Sequence, residues 1–432
     1  MNFKIEKALS KVRQKKYAEA QKIYQRILKQ NPKDLDANYL LGTLFAERRM
    51  YDDSRFYLKR ALELNPESEK TLTNIAGLYK LEGKLELAEE YFRRALVINQ
   101  SMAEANFGLG SVLDMRGCAP NIILQYYQAA IASAPNLAEG YQCIGALLSN
   151  DNNEEAIQYF ETALSINSNL KGIYKDIGGF YLKQGDQQKA IDNFLIAKQR
   201  SVQDIETDYF LCIARNEEPD EKLKSQYIQN EFDNFAKNFD HKLVDQLGYQ
   251  IPGIGYKYLE EHLGQNMSFE CIADLGCGTG LNGPLYESRA VQIIGIDISD
   301  KMLKEAKERG CYSKLLAGEI CEVLDDNKFR LDLFIGMDLV VYIGDLEPMF
   351  KAVINSSMPG GYLMFSTELY EGDGYILQKT GRYAHSEEYV RKLSASYDCT
   401  VVGSKRSLIR KENEEDINGD VFLIKLPEVI ST

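Results

Sequence analysis

The segment Cys271-Ile-Ala-Asp-Leu-Gly-Cys-Gly-Thr-Gly280 is an apolar run that ends in three closely spaced glycines. The apolar residues predict a buried β-strand. Glycine lets the backbone that follows turn sharply, and it lets a ligand approach without a Cβ in the way. The residues from Leu281 onward are consistent with a helix, whose N-terminus would face that ligand. The segment therefore predicts a strand, a ligand-binding loop and a helix in succession.

A second apolar run, Val291-Gln-Ile-Ile-Gly-Ile296, is followed directly by an acidic residue, Asp297. Asp297 comes 19 residues after Gly278, where a carboxylate can accept hydrogen bonds from both hydroxyls of a ribose. Ser299 is placed to cap the next helix. The glycine spacing is GxGxG, whereas dinucleotide sites have GxGxxG, and Asp274 is an unusual neighbour for a pyrophosphate. These features favour a ribose-containing ligand that is not a dinucleotide.

Three further apolar runs alternate with segments of helical character in the C-terminal half. They are residues 314–317, 331–335 and 361–365. This alternation predicts a parallel doubly wound sheet, with a ligand at the carboxyl ends of the first, second and fourth strands. Near the end of the chain, 400–403 and 420–425 flank Asn418-Gly419, a turn-forming pair that predicts a closing antiparallel hairpin.

The N-terminal half repeats with a period of about 34 residues. A small residue recurs at the same point of each unit, at Ala8, Gly42, Ala76, Gly110, Gly145 and Gly178. A large apolar residue recurs later in each unit, at Tyr24, Leu58, Phe92, Tyr127, Phe160 and Phe194. Small residues belong where two helices cross closely, and large residues fill the space beside them. The pattern resembles the tetratricopeptide-repeat family.

This resemblance covers residues 1–204 as about six repeats and implies an N-terminal all-α solenoid. Such arrays usually bind an extended peptide or another protein on their concave face, so a protein or peptide partner is expected there. A purely structural extension is the alternative. Residues 205–225 lose the pattern and include the polar stretch Asn216-Glu-Glu-Pro-Asp-Glu221, which predicts a linker.

Aromatic residues at helical spacing follow the predicted linker. Phe232, Phe235 and Phe239 recur at intervals of three and four residues. Such a stripe is commonly core packing. The alternative is a helical cover over a bound ligand, where Tyr227, Phe235 and Phe239 would exclude water and face a cationic group. We assign this cover to 226–265, within a C-terminal domain that spans 226–432.

The order of motifs in the C-terminal domain resembles the class I S-adenosylmethionine (SAM)-dependent methyltransferases. The resemblance rests on Asp274 with its glycines, Asp297-Ile-Ser, Glu319 and Gly336-Met-Asp338. Further stretches look like bacterial methyltransferases fused to tetratricopeptide repeats: Phe232-Asp-Asn-Phe-Ala, Tyr342 with Gly344-Asp-Leu, and Gly381-Arg-Tyr-Ala-His-Ser386. The fold implied is a Rossmann-like class I methyltransferase domain, with a mostly parallel doubly wound sheet, behind the repeat solenoid.

The resemblance also implies which residues hold SAM and its product S-adenosylhomocysteine (SAH). Asp274 would lie near the methionine amino group, Asp297 would hold the ribose, and Glu319 would flank the adenine. Many relatives have Asp at the position of Glu319. The expected cofactor-binding set is Asp274, Gly276, Cys277, Gly278, Gly280, Asp297, Ile298, Met302, Glu319, Ile320, Gly336 and Met337.

Candidate catalytic residues follow from the chemistry of methyl transfer. The reaction is an in-line displacement, so the main task is to place the acceptor about 3 Å from the methyl carbon in a dry pocket. If the acceptor is a hydroxyl or a carbon acid, His385, Tyr383 or His241 could take its proton or orient it. Arg382 could bind a carboxylate or phosphate of the acceptor. Each of these residues has a structural alternative, such as anchoring a loop.

Composition excludes several classes of site. Three histidines and eight scattered cysteines without a CxxC pair argue against a metal centre or a disulfide framework. Residues 1–204 carry 27 Lys and Arg against 25 Asp and Glu, whereas residues 205–432 carry 24 against 39. That acidic excess would repel a phosphate backbone, so a nucleic-acid substrate is not expected. No stretch resembles a signal peptide or a membrane span, so a cytoplasmic protein is expected.

Two functions remain open. The first is a SAM-dependent methyltransferase whose repeat array recruits or presents a protein or small-molecule acceptor. The second is a repeat-based protein-binding scaffold with a catalytically silent or cofactor-sensing methyltransferase fold. The intact acidic and glycine positions favour the enzyme, and the GxGxG spacing disfavours a nicotinamide-dependent oxidoreductase. The fourth strand lacks an Asn/Asp-Pro-Pro-Tyr loop, which argues against methylation of nucleobases or glutamine.

Overall fold

The computed structural model describes residues 3–150, 153–201, 203–236, 239–240, 243, 248–327, 329–412 and 415–428. The chain divides into two compact units, Met1–Ile173 and Tyr174–Thr432. Among its described residues the first unit has helices and no strand. The second unit contains further helices and all nine strands that the described residues form. The division therefore falls inside the sixth predicted repeat, earlier than the linker expected at 205–225.

Five helical hairpins make up the described part of the first unit. Their helices are α1 Phe3–Arg13, α2 Tyr17–Gln30, α3 Leu35–Glu47, α4 Tyr51–Leu64, α5 Glu69–Leu81, α6 Leu85–Ile98, α7 Ala103–Met115, α8 Pro120–Ser133, α9 Ala138–Asn150 and α10 Glu155–Ile166. The Asp34 carboxylate accepts a hydrogen bond from the Ala37 N–H and so caps α3. Pro120 begins α8, because the first turn of a helix has no partner for the N–H that proline lacks.

The small residues of the repeat lie directly against the large ones. A Cβ added to Gly42 would lie 2.7 Å from Leu58, and a Cβ added to Gly145 would lie 2.7 Å from Phe160. These distances leave no room for a side chain, because helices in contact are close-packed. The repeat prediction is confirmed for this unit.

Along the chain, five helices follow α10 and precede the first strand of the sheet. They are α11 Ile173–Gln184, α12 Gln187–Arg200, α13 Ile205–Ala214, α14 Glu221–Phe235 and α15 Ile251–Leu263. α11 and α12 form the sixth repeat pair, with a Cβ on Gly178 only 2.7 Å from Phe194. α13 occupies part of the predicted linker, and its Tyr209 and Leu211 pack with Leu182 in one buried cluster. Residues 205–214 therefore continue the helical packing, and the linker expected at 205–225 stays a prediction.

The second unit is built around one nine-stranded sheet. Its strands are β1 Phe269–Leu275, β2 Ala290–Asp297, β3 Lys314–Ala317, β4 Leu331–Gly336, β5 Ser357–Leu369, β6 Tyr375–Leu377, β7 Tyr383–His385, β8 Thr400–Glu412 and β9 Glu415–Lys425. The strands β3-β2-β1-β4-β5 are neighbours in that order and parallel. β7 pairs with the last two residues of β5, beyond the positions that pair with β4. The predicted mostly parallel doubly wound sheet is confirmed.

Buried apolar residues cover both faces of this sheet. Phe334 of β4 packs in one cluster with Phe350, whereas its neighbours Leu333 and Ile335 belong to a second cluster with Leu259, as alternation along a strand requires. The flanking helices are α16 Gly283–Tyr286, α17 Asp300–Glu308, α18 Ile320–Asn327, α19 Glu347–Ser356 and α20 Glu387–Ser396. None of the helices in the described ranges is long and apolar enough to cross a bilayer.

The closing hairpin forms from β8 and β9, but Asn418-Gly419 is not its turn. Gly419 pairs with Ser407 inside the hairpin and with Glu368 of β5. A Cβ at this position would lie 1.8 Å from the Thr367 carbonyl oxygen. Gly419 therefore serves the close approach of two strands, and the predicted turn position is wrong.

Candidate functional site

A cavity of about 1210 Å³ opens at the carboxyl ends of the parallel strands. Its wall includes residues 276–278 after β1, Asp297 and Ile298 at the end of β2, 318–320 after β3, and Met337 and Asp338 after β4. This edge of a doubly wound sheet is where ligands bind. Ligand cavities usually measure roughly 300–1,000 Å³, so this one has room for two small molecules.

The glycine loop, residues 276–280, uses its glycines in two ways. Gly276, Gly278 and Gly280 have φ angles of +63°, +55° and +86°, a region that disfavours residues with a Cβ. A Cβ on Gly276 would lie 2.9 Å from Leu339, so that position is enclosed. A Cβ on Gly278 would meet, among the described residues, nothing nearer than Phe239 at 3.9 Å. At Gly278 the backbone is therefore open to the cavity.

The Asp297 carboxylate is held by two backbone N–H groups. Its Oδ2 accepts a hydrogen bond from the Gly278 N–H at 2.8 Å, and its Oδ1 accepts one from the Ser299 N–H at 2.8 Å. Burial raises the pKa of Asp297, and these hydrogen bonds oppose the shift. A carboxylate offers about four acceptor positions, so this fixed side chain keeps acceptor capacity on the cavity wall.

Asp274 is buried and does not line the cavity. Its Oδ1 accepts a hydrogen bond from the Asn282 amide at 2.9 Å, and its Oδ2 accepts one from the Tyr312 hydroxyl at 2.6 Å. Burial raises the pKa of Asp274 to about 7. Its expected place beside a methionine amino group stays a prediction. Asp274 orders the glycine loop from behind, and its partner Asn282 lines the cavity instead.

Eight of the twelve residues expected to bind the cofactor line the cavity: Gly276, Cys277, Gly278, Asp297, Ile298, Glu319, Ile320 and Met337. The other four are not part of its lining: Asp274, Gly280, Met302 and Gly336. Met302 is a fully buried core residue of α17, and Gly336 ends β4. Glu319 also caps α18, because its Oε2 accepts a hydrogen bond from the Cys321 N–H at 2.8 Å.

Two hydrogen bonds join helix α14 to the residues that follow β2. Asp233 accepts a hydrogen bond from the Ser299 hydroxyl at 2.7 Å, and the Gln229 amide donates to the Ile298 carbonyl at 3.3 Å. The aromatic residues Tyr227, Phe232, Phe235 and Phe239 line the cavity. The predicted aromatic stripe thus faces the cavity.

The β5 side of the cavity holds two arginines around a buried glutamate. We call Arg382, Arg410, Glu368 and Tyr342 the arginine end. Arg410 Nη2 donates to Glu368 Oε1 at 2.6 Å, and Arg382 Nη1 lies 3.5 Å from the same oxygen. Arg382 also donates to the Tyr342 hydroxyl at 3.1 Å, with its guanidinium 5.4 Å from the centre of the Tyr342 ring. Arg382, the predicted substrate-binding residue, lines the cavity together with Arg410.

The predicted acid–base residues do not meet at this cavity. His385 and Tyr383 do not line it. His385 Nε2 donates to the Gly344 carbonyl at 2.9 Å, and burial lowers the pKa of the ring. The Tyr383 hydroxyl donates to the Glu218 carboxylate at 2.9 Å. His385 thus anchors the loop at Gly344, which is the structural alternative given for these residues, and Tyr383 contacts Glu218. The catalytic roles of His385 and Tyr383 stay predictions, and His241 lies outside the described residues.

Sequence reasoning missed Asp338 and Arg410 as parts of this site. Asp338 has a φ of +56°, a strained conformation of the kind that concentrates at functional sites. Its N–H donates to the Ser366 hydroxyl at 2.8 Å, and its Oδ1 lies 3.4 Å from Arg410 Nη1. The sequence signal for Asp338 is its place directly after the fourth strand. Arg410 gives no comparable signal, because it lies far along the chain in β8.

The described residues contain neither a cluster suited to a metal ion nor a disulfide bond. Within the described ranges, no group of three or more His, Cys, Asp or Glu side chains is arranged to hold a metal ion. All eight cysteines are free thiols. The expectation of a metal-free site stays a prediction.

Family comparisons agree with both parts of the fold. Residues 5–69 and 81–138 match a tetratricopeptide-repeat model, and 146–170 match a second one. Residues 272–361 match a methyltransferase-domain model. The chain therefore carries N-terminal tetratricopeptide repeats and a C-terminal methyltransferase domain.

Individual relatives are similar to part of this chain. A ubiquinone biosynthesis O-methyltransferase of Coxiella burnetii is 28% identical over 120 residues, which cover 27% of this chain and 50% of the relative. A malonyl-[acyl-carrier protein] O-methyltransferase of Serratia marcescens is 26% identical over 148 residues, covering 34% and 54%. The solved magnesium protoporphyrin IX methyltransferase of Synechocystis PCC 6803 with bound SAH is 14% identical, with a TM-score of 0.37 over 47% of this chain and 99% of that one. The chain spans about half the length of the curated relatives it matches.

Proposed function

We propose that this chain is a SAM-dependent methyltransferase that methylates an oxygen atom, and that its repeats recruit or present the acceptor. The observation that carries the proposal is the hydrogen bond from the Gly278 N–H to Asp297 at 2.8 Å. It holds an open stretch of backbone and an oriented carboxylate side by side on one cavity wall. Together they suit a nucleoside with an attached side chain. The carboxylate accepts hydrogen bonds from the ribose hydroxyls, and the attached chain lies against backbone that has no side chain.

The residues present fit SAM in three respects. Asp297 supplies acceptors for the ribose hydroxyls, Gly278 supplies the open backbone, and Glu319 with Ile320 lies where the adenine would be flanked. SAM supplies a methyl group on a positively charged sulfur, which the acceptor displaces. The aromatic wall of Tyr227, Phe232, Phe235 and Phe239 suits such a cation, because aromatic faces attract positive charge.

Placement of the acceptor is the main catalytic contribution of this chain. The aromatic wall excludes water, which strengthens every electrostatic contact inside the cavity. Since His385 and Tyr383 lie outside the cavity, proton transfer by these side chains is not part of the proposal. Holding the acceptor in line with the methyl carbon can itself lower the barrier by several kcal/mol, on the order of 7 or more.

The oxygen acceptor and the recruiting role of the repeats rest on the comparisons. Both curated relatives described above are named O-methyltransferases. Tetratricopeptide arrays use their concave surface to bind peptides and proteins, and residues 5–69 and 81–138 match such an array. These findings support an oxygen-directed enzyme with a partner-binding module.

Calorimetric titration of the full chain with SAH and, separately, with NADH tests the proposal. We expect micromolar binding of SAH and no binding of NADH. Asp297→Ala removes two charge-assisted hydrogen bonds to the ribose, worth about 1.5 kcal/mol or more each, so SAH should bind about 100-fold more weakly. Asp373→Ala is the matched control, because the Asp373 side chain is 88% exposed and outside the cavity.

Each outcome decides whether the cavity binds the cofactor of the proposed reaction. Tight SAH binding that only the Asp297 variant loses supports that cofactor, which the enzyme requires. If NADH binds instead, the cofactor assignment is wrong. If neither ligand binds to the folded chain, the scaffold with a silent methyltransferase fold becomes the better account.

A further inference from the structure

Two guanidiniums and two carboxylates meet at the arginine end, although methyl transfer itself needs no charged protein group. Two guanidiniums share one buried carboxylate: Glu368 Oε1 lies 2.6 Å from Arg410 and 3.5 Å from Arg382. The other oxygen of Glu368 accepts a hydrogen bond from the Gln378 amide at 3.0 Å. A second carboxylate, Asp338, lies 3.4 Å from Arg410. Both carboxylates thus approach Arg410 more closely than Glu368 approaches Arg382.

Arg382 lies beside an aromatic ring at the cavity wall. Its guanidinium lies 5.4 Å from the centre of the Tyr342 ring and donates to the Tyr342 hydroxyl. A guanidinium has five N–H donors, so it can contact a protein group and a ligand carboxylate together. Arg410 lines the same cavity. The arginine end therefore brings two guanidiniums to the wall where a carboxylate ligand would bind.

Sheet topology separates the arginine end from Asp297 by about the length of a small molecule. Asp297 ends β2 and Glu368 lies near the end of β5, and the strands between them are β1 and β4. Three strand spacings amount to about 14 Å. An acid held by Arg382 can therefore extend back toward Asp338 and the glycine loop while SAM occupies the other side.

Aromatic rings line the path between the two ends. The Phe232 ring packs edge-on against Tyr342 with centroids 5.4 Å apart, and against Phe239 with centroids 6.0 Å apart. Edge-on and offset contacts of this kind are favourable for a third ring. A flat, apolar body thus fits between the arginine end and the glycine loop.

We propose that Arg382 and Arg410 bind the carboxylate of a small hydroxylated aromatic acid, which is the acceptor class of the proposed reaction. Its hydroxyl oxygen takes the methyl group, SAH leaves, and the hydroxyl proton is released to solvent. This inference rests on the proposed function. The opposing account is a closed ion network that only seals the cavity, since buried ion pairs also serve purely structural ends. The two accounts differ in whether a carboxylate ligand binds.

Ligand-observed NMR titration of the full chain with benzoate and with benzamide distinguishes them. The two probes have the same ring and differ in charge. We expect benzoate to bind at least about tenfold more tightly than benzamide, since one charge-assisted hydrogen bond is worth roughly 1.5 kcal/mol. Arg382→Gln should lose this preference, and Arg382→Lys should keep part of it. Arg391→Gln is the matched control, because Arg391 pairs with Glu387 on the exposed side of α20.

The same samples are titrated with SAH, so that two failures can be told apart. If SAH does not bind, the proposed function fails, and the benzoate titration still reports on the arginine end. If SAH binds but benzoate and benzamide bind equally, or neither binds, only the acceptor inference is wrong. Unchanged benzoate preference in a folded Arg382→Gln variant also overturns it.

Discussion

Two buried carboxylates, Asp274 and Glu368, show how differently the two ends of the cavity are built. Asp274 precedes the glycine loop and is held by two neutral donors, the Asn282 amide and the Tyr312 hydroxyl. Glu368 is 5% exposed and lies between two guanidiniums at the arginine end. One acid is thus buried without a cation within bonding distance in the described residues, and the other is buried with two.

The two ends therefore differ in what surrounds the buried carboxylate: neutral hydrogen-bond donors at Asp274 and guanidiniums at Glu368. Neutral donors fix the glycine loop but leave an ionised Asp274 costly in its buried place, because burial penalises charge. The two guanidiniums lie against the Glu368 carboxylate and depend on it for charge compensation. The glycine-loop end is therefore built without a cation near Asp274, whereas the arginine end pairs two cations with the carboxylates of Glu368 and Asp338.

The largest expected effect is a pH dependence that belongs to Asp274. Its pKa is raised to about 7 by burial, so its contribution to stability is full below the unfolded pKa near 4 and is lost as pH rises through 7. Between pH 4 and 8 the wild-type chain should lose about 4 kcal/mol of unfolding free energy relative to Asp274→Asn. Urea denaturation of both proteins across this range measures the difference. A gap between the two that does not change with pH would contradict the contrast between the two acids.

Breaking the charge at the arginine end should cost nearly as much. Glu368→Gln leaves Arg410 and Arg382 with one fewer compensating carboxylate, and removing one partner from a buried ion pair costs about 3 kcal/mol. Thermal or urea unfolding measures the loss. Glu387→Gln on α20 removes the same charge from an exposed pair and should cost about 0.5 kcal/mol or less. Equal stability changes in the two variants would show that Glu368 is not a compensating partner.

A smaller effect is expected where the backbone opens to the ligand. Gly278→Ala places a Cβ on a residue with a φ of +55°, which costs about 1–2 kcal/mol, and directs the methyl group into the cavity. SAH affinity should fall about tenfold or more by calorimetry. Gly77→Ala in α5 is the control, since a Cβ there meets no described atom within 4 Å. Undiminished SAH binding would mean that the ligand does not approach the glycine loop at Gly278.

The smallest expected effect concerns the support behind Arg382. The Tyr209 hydroxyl of α13 donates to the Gly381 carbonyl at 2.8 Å, in the residue directly before Arg382. Tyr209→Phe keeps the ring and removes this buried hydrogen bond, which is worth about 1 kcal/mol. Benzoate affinity should fall a few-fold while SAH affinity stays constant. A parallel loss of both affinities would indicate a general loosening of the unit instead of support for one end.

The residues of the glycine-loop end could be predicted from the sequence because they are contiguous or directly follow the ends of strands. Gly276, Gly278 and Asp297 lie within two strand–loop–helix units, where spacing alone places them at one edge of the sheet. The repeat array was readable for a similar reason, since each hairpin repeats its small and large residues at a fixed period. In both regions short-range pattern determines position.

The arginine end was not readable in this way. Arg410 meets Glu368 across 42 residues of sequence and Asp338 across 72, so the contact depends on how β8, β9 and β5 pair. On sequence alone, Arg382, Tyr383 and His385 are candidates for contact with the acceptor. Side chains alternate along a strand, so Tyr383 and His385 share one face and Arg382, on the other, reaches the cavity.

A crystal structure of the full chain grown with saturating SAH tests the central claim most directly. The account predicts SAH in the cavity, with its ribose hydroxyls within hydrogen-bonding distance of the Asp297 carboxylate and its methionine portion against the backbone of Gly278. SAH bound anywhere else on the chain, or a cavity that stays without SAH at that concentration, would contradict it.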